Sequence, residues 1–329
     1  MGVRLLALLL AVACAGTTAL AEELCIYSKA DGTVVQVRGR DEVPAELRTT
    51  ARCIAPQRAA PQMAAPQDIE LAGVTGRAQL STGLGPIDLR WPRAVTEIFG
   101  KTPERAVADA AMAVSRALQS GDFPTVAQAM NQPWQVVFMD ENLPTSQIPT
   151  ALVSNCHPGW MTPPANIYIV AQRAAYSCGG AAVSRAEADV RLATILVHEM
   201  GHAIEYQLLK SQFGRNKMRA EGFASWFEQY AARYSSMLSE GQMQRMYQLL
   251  AQRSLALQPT GWFFQGSPED YGRASMLFSA IVSRRGVAGL MDVYNEMERS
   301  QLEFFPAIER AVGWSEAKIH SELSRAVAR

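Results

Sequence analysis

The pentapeptide His198-Glu199-Met200-Gly201-His202 constrains this chain more than any other stretch. On a helix, residues four apart project from one face, so two imidazoles converge there and can grip a single cation. Glu199 sits about a hundred degrees round the same helix, where its carboxylate can approach a water on that cation without binding the metal itself. The helix is signalled independently. Ser184 and Glu187 have the spacing of a capping box, so a long helix is expected from Arg185 to about Leu209, with Gly214 beyond its end. A catalytic zinc site needs a third protein ligand and an open fourth position. Glu221 supplies the candidate, after eighteen intervening residues, on the next predicted helix. A turn around Gly214 lets that helix fold back and carry Glu221 to His198 and His202.

H-E-x-x-H followed at this distance by Glu resembles the gluzincin metallopeptidases, the clan of thermolysin and the zinc aminopeptidases. The segment Glu221-Gly222-Phe223-Ala224-Ser225-Trp226-Phe227-Glu228 is similar to the aminopeptidase-branch helix that carries the third ligand. The resemblance covers roughly residues 130–300 and looks most like the MA-like branch. It implies one Zn2+ ion on His198, His202 and Glu221, Glu199 as base, and a peptide or protein substrate. Such proteins also place a Tyr on a later helix, where its hydroxyl steadies an oxyanion. Asp270-Tyr271-Gly272-Arg273-Ala274 opens such a helix here and makes Tyr271 the candidate. Two departures matter. No Gly-x-Met-Glu-Asn segment precedes the motif, which argues against aminopeptidase activity. Ser225 stands where thermolysin-like enzymes carry an Asp that orients a ligating His. Glu228 reads equally as a solvated carboxylate or as one that supports a ligand, and His157 reads as a loop residue.

The rest of the chain divides into parts. Arg4, the apolar run from Leu5 to Ala13, and Ala19-Leu20-Ala21 read as a secretory signal over residues 1–21, hence a periplasmic or secreted protein. Lipidation at Cys14 is the rival processing route. After cleavage four Cys remain, an even number that in an exported chain suggests disulfides rather than buried thiols; of the three possible pairings, sequence proximity favours Cys25–Cys53 with Cys156–Cys178. Residues 22–54 form a small β-hairpin module: alternating runs from Leu24 to Lys29 and Thr33 to Arg38 flank Asp31-Gly32, with a short helix expected at Pro44 to Cys53. The module resembles the short domain at the start of many exported bacterial proteins. Residues 55–68 repeat Ala-Pro-Gln three times and read as an extended linker.

Residues 69–329 form the metallopeptidase-like domain. Thr102-Pro103-Glu104 starts a helix that runs to Gln119. Trp134 to Met139 and Asn166 to Ala171 read as strands; the second could pair with an extended substrate at a sheet edge or lie buried. Further helices are expected at roughly 217–236, 240–257, 270–285, 287–300 and 314–327. The fold class expected is therefore α+β and mostly helical, a small mixed or antiparallel sheet beside a helical zincin core. Basic and acidic residues are equal at 31 each, so no net field favours nucleic acid. Past the signal no apolar run approaches the length of a transmembrane segment. The leading reading is metal-assisted peptide hydrolysis, more endopeptidase-like than aminopeptidase. The competing one is an exported, zinc-stabilised binding or scaffold protein without turnover.

Overall fold

In a computed structural model of the chain, the described residues are 24–28, 34–38, 40–48, 52–54, 74–120, 123, 133–141, 157–176, 183–258, 262 and 264–328. The signal segment, the Asp31-Gly32 turn, the Ala-Pro-Gln segment, Cys14, Cys156 and Cys178 lie outside them. The chain divides into two compact units, Met1–Ala64 and Ala65–Arg329.

The first unit is a three-stranded antiparallel sheet of order β2-β1-β3, with β1 Leu24–Ser28, β2 Val34–Arg38 and β3 Arg52–Ile54. Two alternating runs around a turn signal gave the β1–β2 pair, whose register ends at Ser28↔Val34. The helix expected at Pro44 to Cys53 is replaced by a single short 3-10 turn, Ala45–Leu47, and then by β3. Arg52-Cys53-Ile54 finds a strand partner in β1, and a ladder outweighs weak local helix preference in so short a segment. In that register Cys25 stands opposite Cys53.

The second unit is α+β and mostly helical. Its five-stranded mixed sheet has the order β4-β5-β6-β8-β7. β4 (Val74–Thr82) and β5 (Gly85–Pro92) make an antiparallel hairpin whose turn uses Gly85 at φ 100. β6 (Trp134–Met139) and β8 (Asn166–Val170) run parallel to β5, and β7 (Gly159–Thr162) returns antiparallel along β8. The strand expected around Asn166 is thus interior, and β7 forms the edge. Nearly every side chain of β6 and β8 is buried, as parallel strands between layers should be.

Among the described residues the helices are α1 (Val95–Ile98), α2 (Pro103–Gln119), α3 (Ala171–Ala175), α4 (Arg185–Leu208), α5 (Lys217–Ala232), α6 (Glu240–Leu257), α7 (Pro268–Ser300), α8 (Phe304–Val312) and α9 (Glu316–Val327). The cap signals act as expected. Thr102 accepts from Arg105 N–H and Ser184 from Glu187 N–H. The Glu187 carboxylate turns instead to Arg191 (2.8 Å). Ser267 and Asp270 complete a true capping box at the start of α7. Gly286 (φ 68, ψ 177) breaks α7 where two separate helices are expected from sequence.

The core joins α4, α5 and α7 through aromatic packing. Phe223 stacks on Phe227 (6.0 Å between ring centroids) and meets Phe278 and Tyr294 edge-on. Each such ring contributes roughly 1.5–3 kcal/mol by burial. Small residues set how closely the helices approach. A Cβ at Gly201 would lie 3.2 Å from the Ala224 Cα, so α4 and α5 nearly touch there. Among the described residues no helix is long and apolar enough to cross a membrane.

Candidate metal centre

The contact between α4 and α5 puts three donors in one place. His198 and His202 stand one turn apart on α4, their rings 4.7 Å apart and edge to face. Glu221 reaches them from the second turn of α5. Its Oε2 lies 3.2 Å from His198 Nε2 and 3.5 Å from His202 Nε2. One ligand atom from each residue falls within 4.8 Å of the others. In a tetrahedral zinc site with bonds of about 2.0–2.1 Å, ligand atoms stand about 3.4 Å apart. The two measured separations bracket that value. Two imidazoles and one carboxylate also suit zinc chemically, and three protein donors would leave a fourth position for another ligand. The residues therefore fit the ion that the sequence implies.

His198 is held from both ring nitrogens. Its Nδ1 hydrogen-bonds the Glu228 carboxylate, and the Tyr247 hydroxyl donates to the other Glu228 oxygen (2.6 Å). Glu228 is 2% exposed, so this chain of bonds is shielded from water. A carboxylate on Nδ1 fixes the tautomer and leaves Nε2 facing Glu221. Glu228 follows Glu221 by seven residues, two turns along the same helix face, and so supports the ligand from the position that periodicity allows. Ser225, at the place where an Asp would orient a ligand in thermolysin-like chains, is buried and has a short side chain. The His198 ring is instead held by Glu228, which Tyr247 backs. Tyr247 carries no sequence signal that would have found it.

Burial and mutual charge set the protonation of the cluster. Burial by itself would lower His198, but hydrogen bonds to Glu221 and Glu228 outweigh it and raise its pKa well above the ordinary value. His202 is raised against burial by Glu221. Burial would raise Glu221, yet hydrogen bonds from both imidazoles hold it well below the usual carboxylate range. Glu199 behaves otherwise: burial raises it, and the two His only partly oppose that. It is 6% exposed and lies outside the metal-ligand group.

β7 presses on Glu199. A Cβ at Gly159 would come within 2.7 Å of Glu199 Oε1 and 2.9 Å of Ile195 Cγ2, so only Gly leaves the carboxylate where it is. Tyr271, near the start of α7, faces the cluster with its ring 6.3 Å from that of His198. Burial, then the Glu221 carboxylate, push its phenol far up, so it stays protonated and can donate. Phe264 packs edge-on against it at 5.3 Å. His198, Glu199, His202, Glu221 and Tyr271, the ligand, base and oxyanion candidates of the sequence, thus fall in one cluster. Beside them lie Glu228, Tyr247, Gly159 and His157. No protein-family model matches the chain, and no curated protein matches it.

Proposed function

We propose that this protein is a zinc-dependent peptidase of gluzincin type, exported from the cytoplasm, with His198, His202 and Glu221 as the ligands of one Zn2+. The observation that carries the reading is the placement of the Glu221 carboxylate against both imidazoles, with a buried Glu199 next to the cluster but outside it. A purely structural site has no use for such a residue. Zinc bound there supplies Lewis acidity, polarising a carbonyl and lowering the pKa of water.

The chain's own residues do the rest. Glu199, its pKa raised by burial, takes the proton of the attacking water and passes it to the leaving amine. Tyr271 donates its hydroxyl proton in a hydrogen bond to the oxygen that gains charge. Glu228 and Tyr247 hold His198 in its tautomer. The edge strand β7 borders Glu199, with Gly159 packed closely against its carboxylate.

Glu199→Gln keeps size and hydrogen bonding but cannot accept a proton. The variant is expected to bind zinc as the parent does and to lose cleavage of a mixed peptide library by at least about a hundredfold. Full hydrolysis by that variant would refute the mechanism. Zinc binding without cleavage by the parent itself would instead favour a zinc-stabilised binding or scaffold protein.

A further inference from the structure

We propose that Lys217, assisted by His157, forms a carboxylate-binding subsite beside the metal centre, so that the preferred peptide carries an acidic group next to the bond cleaved. The inference rests on the peptidase reading and names its substrate class.

Lys217 is the first residue of α5, four before Glu221 and on the same helix face. That spacing puts the two side-chain origins about 5–6 Å apart. The ammonium extends toward the segment before α7. It lies 5.8 Å from the centroid of the Phe264 ring, and 3.7 Å from where a Cβ would stand at Gly266. Phe264 packs on Tyr271, and Tyr271 faces His198. Lys217 therefore stands on the side of the cluster that Phe264 and Tyr271 cover, connected to His198 through those two rings. It is exposed and makes no ion pair among the described residues. Other cations nearby are committed: Arg219 to Glu205 at 2.8 Å and Arg173 to Glu141 at 2.9 Å.

His157 precedes β7, separated from Gly159 by the bend at Pro158. The imidazole is half-buried, forms no hydrogen bond among the described residues, and feels the charges of Glu221, Lys217 and His198.

The chemistry here is one-sided. An ammonium with no ion-pair partner among the described residues and an imidazole with no hydrogen bond among them stand near the carboxylates of Glu199 and Glu221. Lys217 is placed to attract a carboxylate on a substrate that reaches the cluster from this side. The carboxylate could belong to an Asp or Glu side chain or to the free C-terminus of a short peptide.

Four peptide hydroxamates, anchored on zinc through the hydroxamate, separate these sources: Asp or Asn beside the anchor, each with a free or an amidated C-terminus. Their affinities for the zinc-loaded protein are read by calorimetry. At least one carboxylate member is expected to bind about fivefold tighter than its neutral counterpart, and the member that does so identifies the source. Lys217→Met should erase the preference, and Lys217→Glu should invert it, with zinc content unchanged in both. Equal affinities, a preference that survives Lys217→Glu, or no binding of any probe would overturn the subsite. Turnover of a peptide library reports separately on the peptidase reading. Carboxylate preference without turnover keeps the subsite and sinks the peptidase, whereas turnover indifferent to acidic residues does the reverse.

Discussion

His198 meets a carboxylate at each ring nitrogen, Glu228 at Nδ1 and Glu221 at Nε2, and the two contacts differ in purpose. The Glu221 side faces the pocket and can be shared with a metal. The Glu228 side is closed off, with Tyr247 behind it. Glu228→Ala would free the imidazole to rotate and to change tautomer. Zinc affinity should fall by roughly 10–100-fold, measured by competition against a chelator of known strength. Unchanged affinity would reduce Glu228 to a packing residue. At this scale the sequence was legible where chemistry depends on local spacing. His198, Glu199, His202 and Glu221 sit on helices whose starts were marked by Ser184 and by the turn at Gly214, so their convergence could be foreseen. Tyr247 reaches the site from α6 and Gly159 from a strand distant in sequence. No local pattern encodes such contacts, because they arise only from packing.

At the scale of elements, α4 and α5 must keep one register for Glu221 to meet both imidazoles. Gly201 against Ala224 sets their distance. A fully buried ion pair sets their register. Arg219, in the first turn of α5, donates to Glu205, near the end of α4 (2.8 Å), and Tyr294 of α7 donates to the same oxygen (2.9 Å). Arg219→Met would leave Glu205 charged in a dry environment, at an expected cost of about 3–5 kcal/mol in urea denaturation. The double replacement Glu205→Leu with Arg219→Met should recover most of that loss, since it removes both charges. A cost below about 1 kcal/mol for the single variant would deny the pair its role.

A second clamp joins α9 to α7. Lys318, Arg325 and Arg284 surround Glu322 and hold its carboxyl down at about 2. Because the folded pKa lies below the unfolded one, the contribution is complete above the ordinary value of 4.5 and is lost as pH falls through about 2. The gap in thermal midpoint between the parent and Glu322→Gln should therefore be open at neutral pH and narrow steadily between those limits. A gap that stays constant with pH would contradict it. The elements themselves were largely legible. α2, α4 and the break at Gly286 follow caps and glycines. By contrast, β4, β7 and α8 left weak signals, since short strands and a nine-residue helix owe their form to neighbours rather than to propensity. The expected helix at Pro44 to Cys53 failed for the same reason, with β1 recruiting residues 52–54 as a strand.

Taken whole, the larger unit uses a mixed sheet and a helical layer to bring residues from α4, α5, α6 and α7 into one cluster. The metal would bind groups on two of those helices and would bind only their native arrangement, so zinc should stabilise the fold by mass action, by about 2.7 kcal/mol at a free concentration one hundred times its dissociation constant. The most direct test of the central claim is the zinc content of the purified protein, set beside that of His202→Ala and Glu221→Ala. One zinc per chain in the parent, with affinity lost in both variants, is the result predicted. An absence of zinc even when the metal is supplied during refolding, or one zinc retained by both variants, would contradict it.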